Sequence, residues 1–367
     1  MADGKREEEV IDVKRLLSAT MVCLLALTAT PADARDREPI IPNFEELAPT
    51  FITTAQGGFK FLDIPVGARP AGMGDAFTGV AGDITSLFWN PAALAFLRGR
   101  EAFFAHTQWI ADIRHDAGGF AVNVPGRGTF GVGFVTMDPG KFDRTEVDPN
   151  PASKGFIDRG TFTTTHYAVT FAYAYQITDR FGVGGTAKLA HEDLGMGDVF
   201  RGGQRTQVDN KKTALAVDLS THFNTGFRNT AMAMSIQNFS GELIYQRERF
   251  ELPRNIRVGF LLDLVSLSGR RPVAHHLSFL FDFTNPVDFD ERIHLGSEYT
   301  YRPPKGAVGF SLRAGYKVNH DTEDFSMGAG LQYKTAQGRG VKVDYAFKHF
   351  DKQFFDAVHI LSGGITF

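Results

Sequence analysis

From residue 101 to the end of the chain, apolar and polar side chains alternate with a period of two. Between 166 and 176, Tyr167, Val169, Phe171, Tyr173 and Tyr175 share one face, while His166, Ala168, Thr170, Ala172, Ala174 and Gln176 share the other. The same division sets Ile256, Val258, Phe260 and Leu262 against Asn255, Arg257, Gly259 and Asp263, and Val341, Val343, Tyr345 and Phe347 against Lys342, Asp344 and Lys348. Alternation predicts strands with one apolar face. The polar faces are rich in Gly, Ala, Ser and Thr with scattered charges of both signs, which suits an enclosed lumen better than the solvated face of a sandwich. Segments of about ten to thirteen residues exceed the usual soluble strand and match a tilted membrane-spanning one.

Fourteen such segments are predicted, at 101–109, 114–124, 128–138, 162–176, 180–194, 211–224, 228–239, 254–265, 274–284, 291–301, 306–318, 324–334, 339–350 and 356–367. Every second connection is a tight turn of Gly, Pro, Asn and Arg, and the others include long polar loops at 139–161, 192–210 and 240–253. Short turns belong to the periplasmic side of an outer-membrane barrel, which places both termini there. Hydrocarbon offers no partner to a backbone N–H or C=O, so a spanning sheet has to close on itself. The fold class is therefore all-β, a transmembrane antiparallel barrel of about fourteen strands, occupying 101–367.

The stretch 59–97 breaks the pattern. Gly and Pro interrupt it repeatedly and it holds neither period, so it is expected to fold inside the mouth of the barrel as a plug or hatch. Ahead of it, Lys14 and Arg15 precede an apolar run that ends in Ala32-Asp33-Ala34, the layout of a secretory signal at 1–34. The acidic first dozen residues suggest an over-called start, with the real start nearer Val13. The polar segment 35–58 is read as a periplasmic lead-in, and Cys23, the one cysteine, lies within the signal, so no disulfide holds the mature chain.

Charged residues make up 22% of the chain, and a net charge of −3 with a mean hydropathy of −0.16 excludes a helical membrane protein but not a barrel, in which only alternate residues face lipid. High Gly (39) and Phe (34) fit that barrel, and the near-neutral charge gives no support to nucleic acid as a partner.

The hatch stretch carries Ile64, Pro65, Gly67, Ala68, Arg69, Ala71, Gly72, Met73, Gly74, Ala76, Phe77, Asp83, Trp89, Asn90, Pro91, Ala92 and Leu94. This run resembles the N-terminal signature of the PorV/PorQ family, whose barrels resemble the fatty-acid transporter FadL. Asp75 stands where a further Gly is expected, and Gly82 where an acidic residue is common. The resemblance implies a hatch in the periplasmic half of the lumen and a component of a type IX secretion apparatus that receives secreted proteins by their C-terminal domains. A purely structural plug would demand the same glycines, since Gly72, Gly74 and Gly79 allow close backbone approach or positive φ. Asn90 before Pro91 suits a helix start. The closing AVHILSGGITF, ending in Phe367, resembles the aromatic-ended signal read by the barrel-assembly machinery.

Other chemistries fail on spacing. GMGDAF lacks the preceding strand and the Gly-Lys-Ser/Thr of a phosphate loop. His275 and His276 face opposite sides of a strand, so they do not share a metal. The acidic loop with Asp138, Asp143, Glu146, Asp148 and Asp158 has the ligand type for Ca²⁺ but reads better as a solvated loop. No catalytic constellation, metal or cofactor is expected, and the inward charges, among them Arg257, Asp282, Glu298, Arg313 and Lys317, are expected to pair with one another. Two roles remain: the secretion component, with partners among secreted proteins and other secretion components, and a FadL-type uptake channel for hydrophobic small molecules.

Overall fold

Alternating side chains fix the strands, and closure follows because an open edge in lipid would leave a ladder of unpaired backbone groups. A computed structural model describes residues 57–367 except 149, 151–153, 202–203, 246–247, 270–273, 304–307, 321, 336–337 and 352–354. The described residues belong to one compact unit, Thr53–Phe367, while the unit Met1–Ile52 lies outside them. The signal at 1–34, Cys23 and all of the 35–58 segment but Gly57 and Gly58 therefore fall outside the described residues.

The strands are β1 (Arg100–Gln108), β2 (Arg114–Val124), β3 (Gly128–Asp138), β4 (Lys141–Val147), β5 (Phe156–Thr163), β6 (Thr165–Gln176), β7 (Phe181–Arg201), β8 (Gln204–Asn224), β9 (Ala231–Ser240), β10 (Leu243–Tyr245), β11 (Glu248–Phe250), β12 (Asn255–Asp263), β13 (His275–Pro286), β14 (Arg292–Tyr301), β15 (Val308–Val318), β16 (Glu323–Lys334), β17 (Gly340–Phe350) and β18 (Val358–Thr366). Fourteen of them form one closed barrel, β1-β2-β3-β6-β7-β8-β9-β12-β13-β14-β15-β16-β17-β18, each antiparallel to its neighbours. Pairing of β1 with β18, from Glu101 opposite Thr366 to Gln108 opposite His359, completes the ring. The faces fall as the alternation requires: Tyr167, Phe171, Tyr173 and Tyr175 are exposed on the outside, and Ala168, Thr170, Ala172 and Ala174 are buried on the inside.

The long loops contain more structure than their composition suggests. Residues 139–161 hold much of an antiparallel hairpin of β4 and β5, and 192–210 continue β7 and β8, each 21 residues long, as a ribbon beyond the barrel. Arg205 joins the two outgrowths, reaching Glu146 at 2.9 Å and Asp198 at 2.6 Å. Thr, Val and Phe in these segments favour extended backbone, and pairing satisfies it. The wall is irregular where the β16–β17 register shifts between Glu323 and Ser326 and where the β8–β9 register shifts between Val217 and Leu219, beside Asn238 with a φ of 56°.

Within the barrel lies the 59–97 stretch, built of short turns: Lys60–Asp63, Ala68–Ala71, Ser86–Trp89 and Pro91–Phe96. Its apolar residues Phe61, Phe77, Ile84, Leu87 and Leu94 are fully buried.

Candidate functional site

An irregular segment inside a barrel carries backbone groups that no ladder satisfies, so lumen side chains have to supply the partners. Inward hydroxyls and carboxylates do so. Ser326 accepts the N–H of Gly74 at 2.9 Å, Ser362 that of Ala68 at 3.2 Å and Ser220 that of Ala92 at 2.8 Å. Asp282 accepts from the N–H groups of Phe77 and Thr78 and from the Thr78 hydroxyl, at 3.1, 3.0 and 2.6 Å. Gln237, in the β8–β9 irregularity, donates to the carbonyls of Phe88 and Trp89, each at 2.9 Å.

The motif residues divide by role. Arg69 lies between Asp83 at 2.8 Å and Glu298 at 2.7 Å, and Glu298 also receives Arg313, which reaches Asp344 at 2.7 Å. Lys342 closes the chain of charges on Asp83 at 3.1 Å. Burial pushes the Asp83 carboxyl up, but Lys342 and Arg69 outweigh it and hold it well below the usual carboxylate range. For Arg69, burial works against the charge and is outweighed by Glu298 and Asp83, so the guanidinium stays charged throughout. Asp75 forms a second cluster, with Lys317 at 2.5 Å and Lys348 at 3.0 Å, both of which also meet Glu323. The expected mutual pairing of inward charges is thus present for Arg257 with Asp282, Arg313 with Glu298 and Asp344, and Lys188 with Asp218, whereas Lys317, Lys342 and Lys348 pair with the hatch carboxylates Asp75 and Asp83.

Sequence reasoning missed that the hatch itself supplies partners. Asp75, where the PorV/PorQ resemblance led to the expectation of a Gly, takes a φ of 63° and engages two lysines. The signal was present in an acidic residue holding a glycine's conformation. Gly82, the other departure, has a φ of 72°.

The glycines mark close approach. A β-carbon on Gly72 would stand 3.0 Å from the Gly328 Cα, and one on Gly74, whose φ is 63°, would stand 2.9 Å from the Leu295 carbonyl oxygen and the Tyr316 amide nitrogen. Asn90 caps the Pro91–Phe96 turn, its side-chain oxygen accepting from Ala92 at 3.1 Å while its amide nitrogen donates to the Thr78 carbonyl at 2.8 Å. Trp89 donates to the Val66 carbonyl at 2.9 Å, has Phe77 edge-on and carries Arg257 over its ring at 4.8 Å. Ile64, Pro65, Gly67 and Met73 fill the lumen around these anchors, and Phe367 lies exposed beside the start of β1, its N–H bonded to Arg100.

Two cavities flank the hatch. One of about 720 Å³ lies at the long-loop end, lined among others by Phe59, Phe61, Trp89, Trp109, Asp75 and His294. The other, about 330 Å³, lies at the short-turn end and is lined by Arg69, Asp83, Glu298, Arg302, Arg313 and Lys342 among others. The hatch runs lengthwise between them. Its beginning is tied to the long-loop end, where Gly58 donates to the Glu251 carbonyl, Phe59 to Glu192 at 2.9 Å, and Lys60 pairs with Asp288. The orientation that puts the short turns in the periplasm therefore sets Gly57 and Gly58, the described end of the expected periplasmic lead-in, on the opposite side. On the same orientation the hatch extends beyond the periplasmic half of the lumen.

His275 and His276 face opposite sides of β13: His275 reaches the Tyr299 hydroxyl on the outside, and His276 stands 3.8 Å from Asp263 inside. The acidic loop residues do not converge, since Glu146 is bound to Arg159 and Arg205, and Asp138 to Arg114. Among the described residues no group of three His, Cys, Asp or Glu is placed to hold a metal ion.

The model of an uncharacterised protein family, UPF0164, matches residues 50–234. No curated protein matches the chain. Among solved structures, the fold is similar to a Pseudomonas aeruginosa FadL homologue (TM-score 0.53, 12% identity, covering 83% of this chain and 98% of that one). It is also similar to the Pseudomonas putida toluene transporter TodX (0.55, 10%, 86% and 98%) and the Ralstonia pickettii toluene transporter TbuX (0.52, 13%, 85% and 99%). The architecture is that of an outer-membrane β-barrel.

Proposed function

Because the chain belongs to the uncharacterised family UPF0164 and shares its fold with a FadL homologue and two toluene transporters, we propose that it is an outer-membrane channel for hydrophobic small molecules, gated by the 59–97 hatch. The carrying observation is the hatch lying lengthwise in the lumen with a cavity of about 720 Å³ on one side and about 330 Å³ on the other. Cargo enters the cavity at the long-loop end, whose aromatic walls accept an apolar body. Passage then requires the hatch to leave its ion-paired seat. In this reading the short turns, the start of β1 and Phe367 face the periplasm, and outer-membrane lipid and the barrel-assembly machinery are the chain's partners.

Thr78 of the hatch and Asp282 of β13 provide a test, because their side chains meet at 2.6 Å and the sole native cysteine, Cys23, lies in the expected signal. A Thr78→Cys/Asp282→Cys pair closed by oxidation fixes the hatch to β13. Uptake of labelled toluene by cells displaying the protein should fall to the background of cells lacking it and recover on reduction. Uptake equal to wild type in the oxidised state would remove the reading.

A second reading, a type IX secretion component of PorV or PorQ type, is favoured by the resemblance of residues 64–94 to that family's signature. There the long outer ribbons would meet the C-terminal domains of secreted proteins. Capture of such proteins from solubilised outer membranes, with loss of secretion on deletion, would support it, and intact secretion would sink it.

A further inference from the structure

We propose that the membrane-facing wall of β6–β9 holds one glycerophospholipid of the inner leaflet, its acyl chain in an apolar groove and its phosphate on the arginines of the turns below. The groove is a depression of about 430 Å³ lined by Tyr173, Tyr175, Val183, Leu219, Met234 and Ile236. It exists because two outward positions carry small residues. Gly185 stands between Tyr173 and Leu219 on the neighbouring strands, and Thr221 between Val183 and Met234. The flanking side chains are large and exposed, Leu219 at 58% and Tyr173 at 46%, so the depression opens outward to lipid and not into the lumen.

The occupant follows from position and charge. An aliphatic chain is the solvent at this face, and a recess in it is filled by acyl carbon. At the short-turn end, directly beneath these strands, Arg180 of the 177–180 turn lies against Gly226 of the 225–230 turn, which also holds Arg228. Among the described residues Arg180 is paired with the adjacent exposed Asp179 at 3.8 Å, and Arg228 donates to the Leu267 carbonyl and lies 5.4 Å from the Phe227 ring. Two arginines at the membrane boundary under an apolar groove recognise a phosphate diester with a chain attached, and favour one whose charge no head-group ammonium offsets. The inner face of the same wall seats the hatch, with Ser220 bound to Ala92 and a β-carbon on Gly184 standing 2.7 Å from the Ala92 nitrogen. A lipid in the groove therefore backs the strands that hold Asn90-Pro91-Ala92.

The assignment of the leaflet rests on the orientation proposed above, which a separate measurement settles: surface labelling of Asp158→Cys on β5 in intact cells. The site itself is tested with the purified full chain in detergent, offered phosphatidylglycerol and phosphatidylcholine and weighed by native mass spectrometry. One retained phosphatidylglycerol is expected in preference to phosphatidylcholine. Thr221→Leu, which fills the groove at a residue already bearing a β-carbon, should lower the retained fraction about tenfold. Tyr175→Ala, which removes one wall, should lower it less, and Arg180→Gln with Arg228→Gln should abolish the preference between head groups. Heat-dependent gel mobility reports that each variant is folded. Unchanged retention in folded Thr221→Leu and Tyr175→Ala barrels overturns the proposal, as does equal retention of both lipids by the wild type.

Discussion

The lumen has two unlike halves. On β1–β8 the hatch packs mainly on small, uncharged side chains, Ala105, Ala117, Ala121, Ala168, Ala172 and Ala174, with Gly131 and Gly133 between them, and only its backbone meets carboxylates there, Ile84 on Glu101 and Phe59 on Glu192. Against them the hatch sets Ile84, Leu87, Phe88 and Leu94. On β12–β17 the hatch instead meets Arg257, Asp282, Glu298, Lys317, Lys342 and Lys348 through Arg69, Asp75, Thr78 and Asp83. Dispersion against a smooth wall is short-ranged but non-directional, so the first half sets how deeply the hatch sits. Paired charges are directional and satisfied in one register only, so the second half sets where along the wall it sits. A latch made of charge can be released by a competing charge; a packed wall cannot.

The largest break in this comparison is Arg69→Ala. It leaves Asp83 with Lys342 and Glu298 with Arg313 but without their shared cation, so the loss lies toward the lower end of the about 3–5 kcal/mol that removing one member of a buried set typically costs. Here the loss falls on hatch docking, while the barrel ladder remains intact. The expected outcome is protease cleavage within 59–97 at denaturant concentrations that leave the wild-type hatch protected, with unchanged heat-dependent gel mobility of the barrel. Arg69→Lys should recover part of the protection, because a point charge cannot replace the fork that meets both carboxylates. Equal protection in Arg69→Ala and wild type would mean that the charged half holds nothing.

Acid should act on the same half. The folded carboxyls of Asp75 and Asp83 are held below their ordinary value of 3.8 by Lys317 and Lys348 and by Lys342 and Arg69, against burial. A depressed group contributes its full stability above the unfolded value and loses it as pH falls toward the folded one. Burial pushes the hatch's own Asp63 carboxyl up to about 6, and a raised carboxyl adds stability as it takes up its proton. Hatch protection should therefore not fall between neutrality and about pH 5, and should decline below 3.8. Loss of protection already at pH 5–6 would show that some other group controls the latch.

The packed half is probed by Leu87→Ala. The two methyls of Leu87 lie closest over Gly131 and Gly133, beside Ala172, Leu94 and Phe88, so truncation opens a void that the stiff wall does not close. A loss of about 2–5 kcal/mol in hatch docking is expected. Unlike the Arg69→Ala defect, it should not change with salt or acid. A strong salt dependence would erase the distinction between the halves.

How much of this was visible in the sequence depends on the range of the interaction. Strand number, strand faces and the parity of the connections are local, set by alternation and turn residues, and they read directly from segments such as 166–176. That inward charges pair with one another was also legible, since scattered charges of both signs cannot remain single in an enclosed lumen. Which charges pair was not, because Arg69 and Glu298 are joined only by the register of a closed sheet. The hatch's own share was hidden for a related reason: Asp75 reads as a misplaced glycine until Lys317 and Lys348 stand opposite it. The outer ribbons escaped because their polar composition, which marks loops in general, here clothes both faces of paired strands in water.

Asn90 lies at the seam between the halves and gives the smallest and most specific prediction. Its oxygen accepts from Ala92, on the side of Ser220 and the small-residue wall, and its nitrogen donates to Thr78, which is bound to Asp282 on the charged wall. Asn90→Ala removes these two bonds and a longer one to the Thr221 carbonyl at 3.4 Å, and leaves the Thr78 carbonyl buried without this donor, for a loss of about 1–3 kcal/mol in hatch docking. Asn90→Asp keeps the cap on Ala92 but turns the donor into an acceptor facing the Thr78 carbonyl. If the seam serves only to start the Pro91–Phe96 turn, Asp should rescue Ala, as it does at ordinary helix N-termini. If it couples the two walls, Asp should be no better than Ala, because two acceptors then face each other in a buried site. Protease protection of the hatch in the two variants decides between these, and rescue by Asp would reduce the two halves to independent supports.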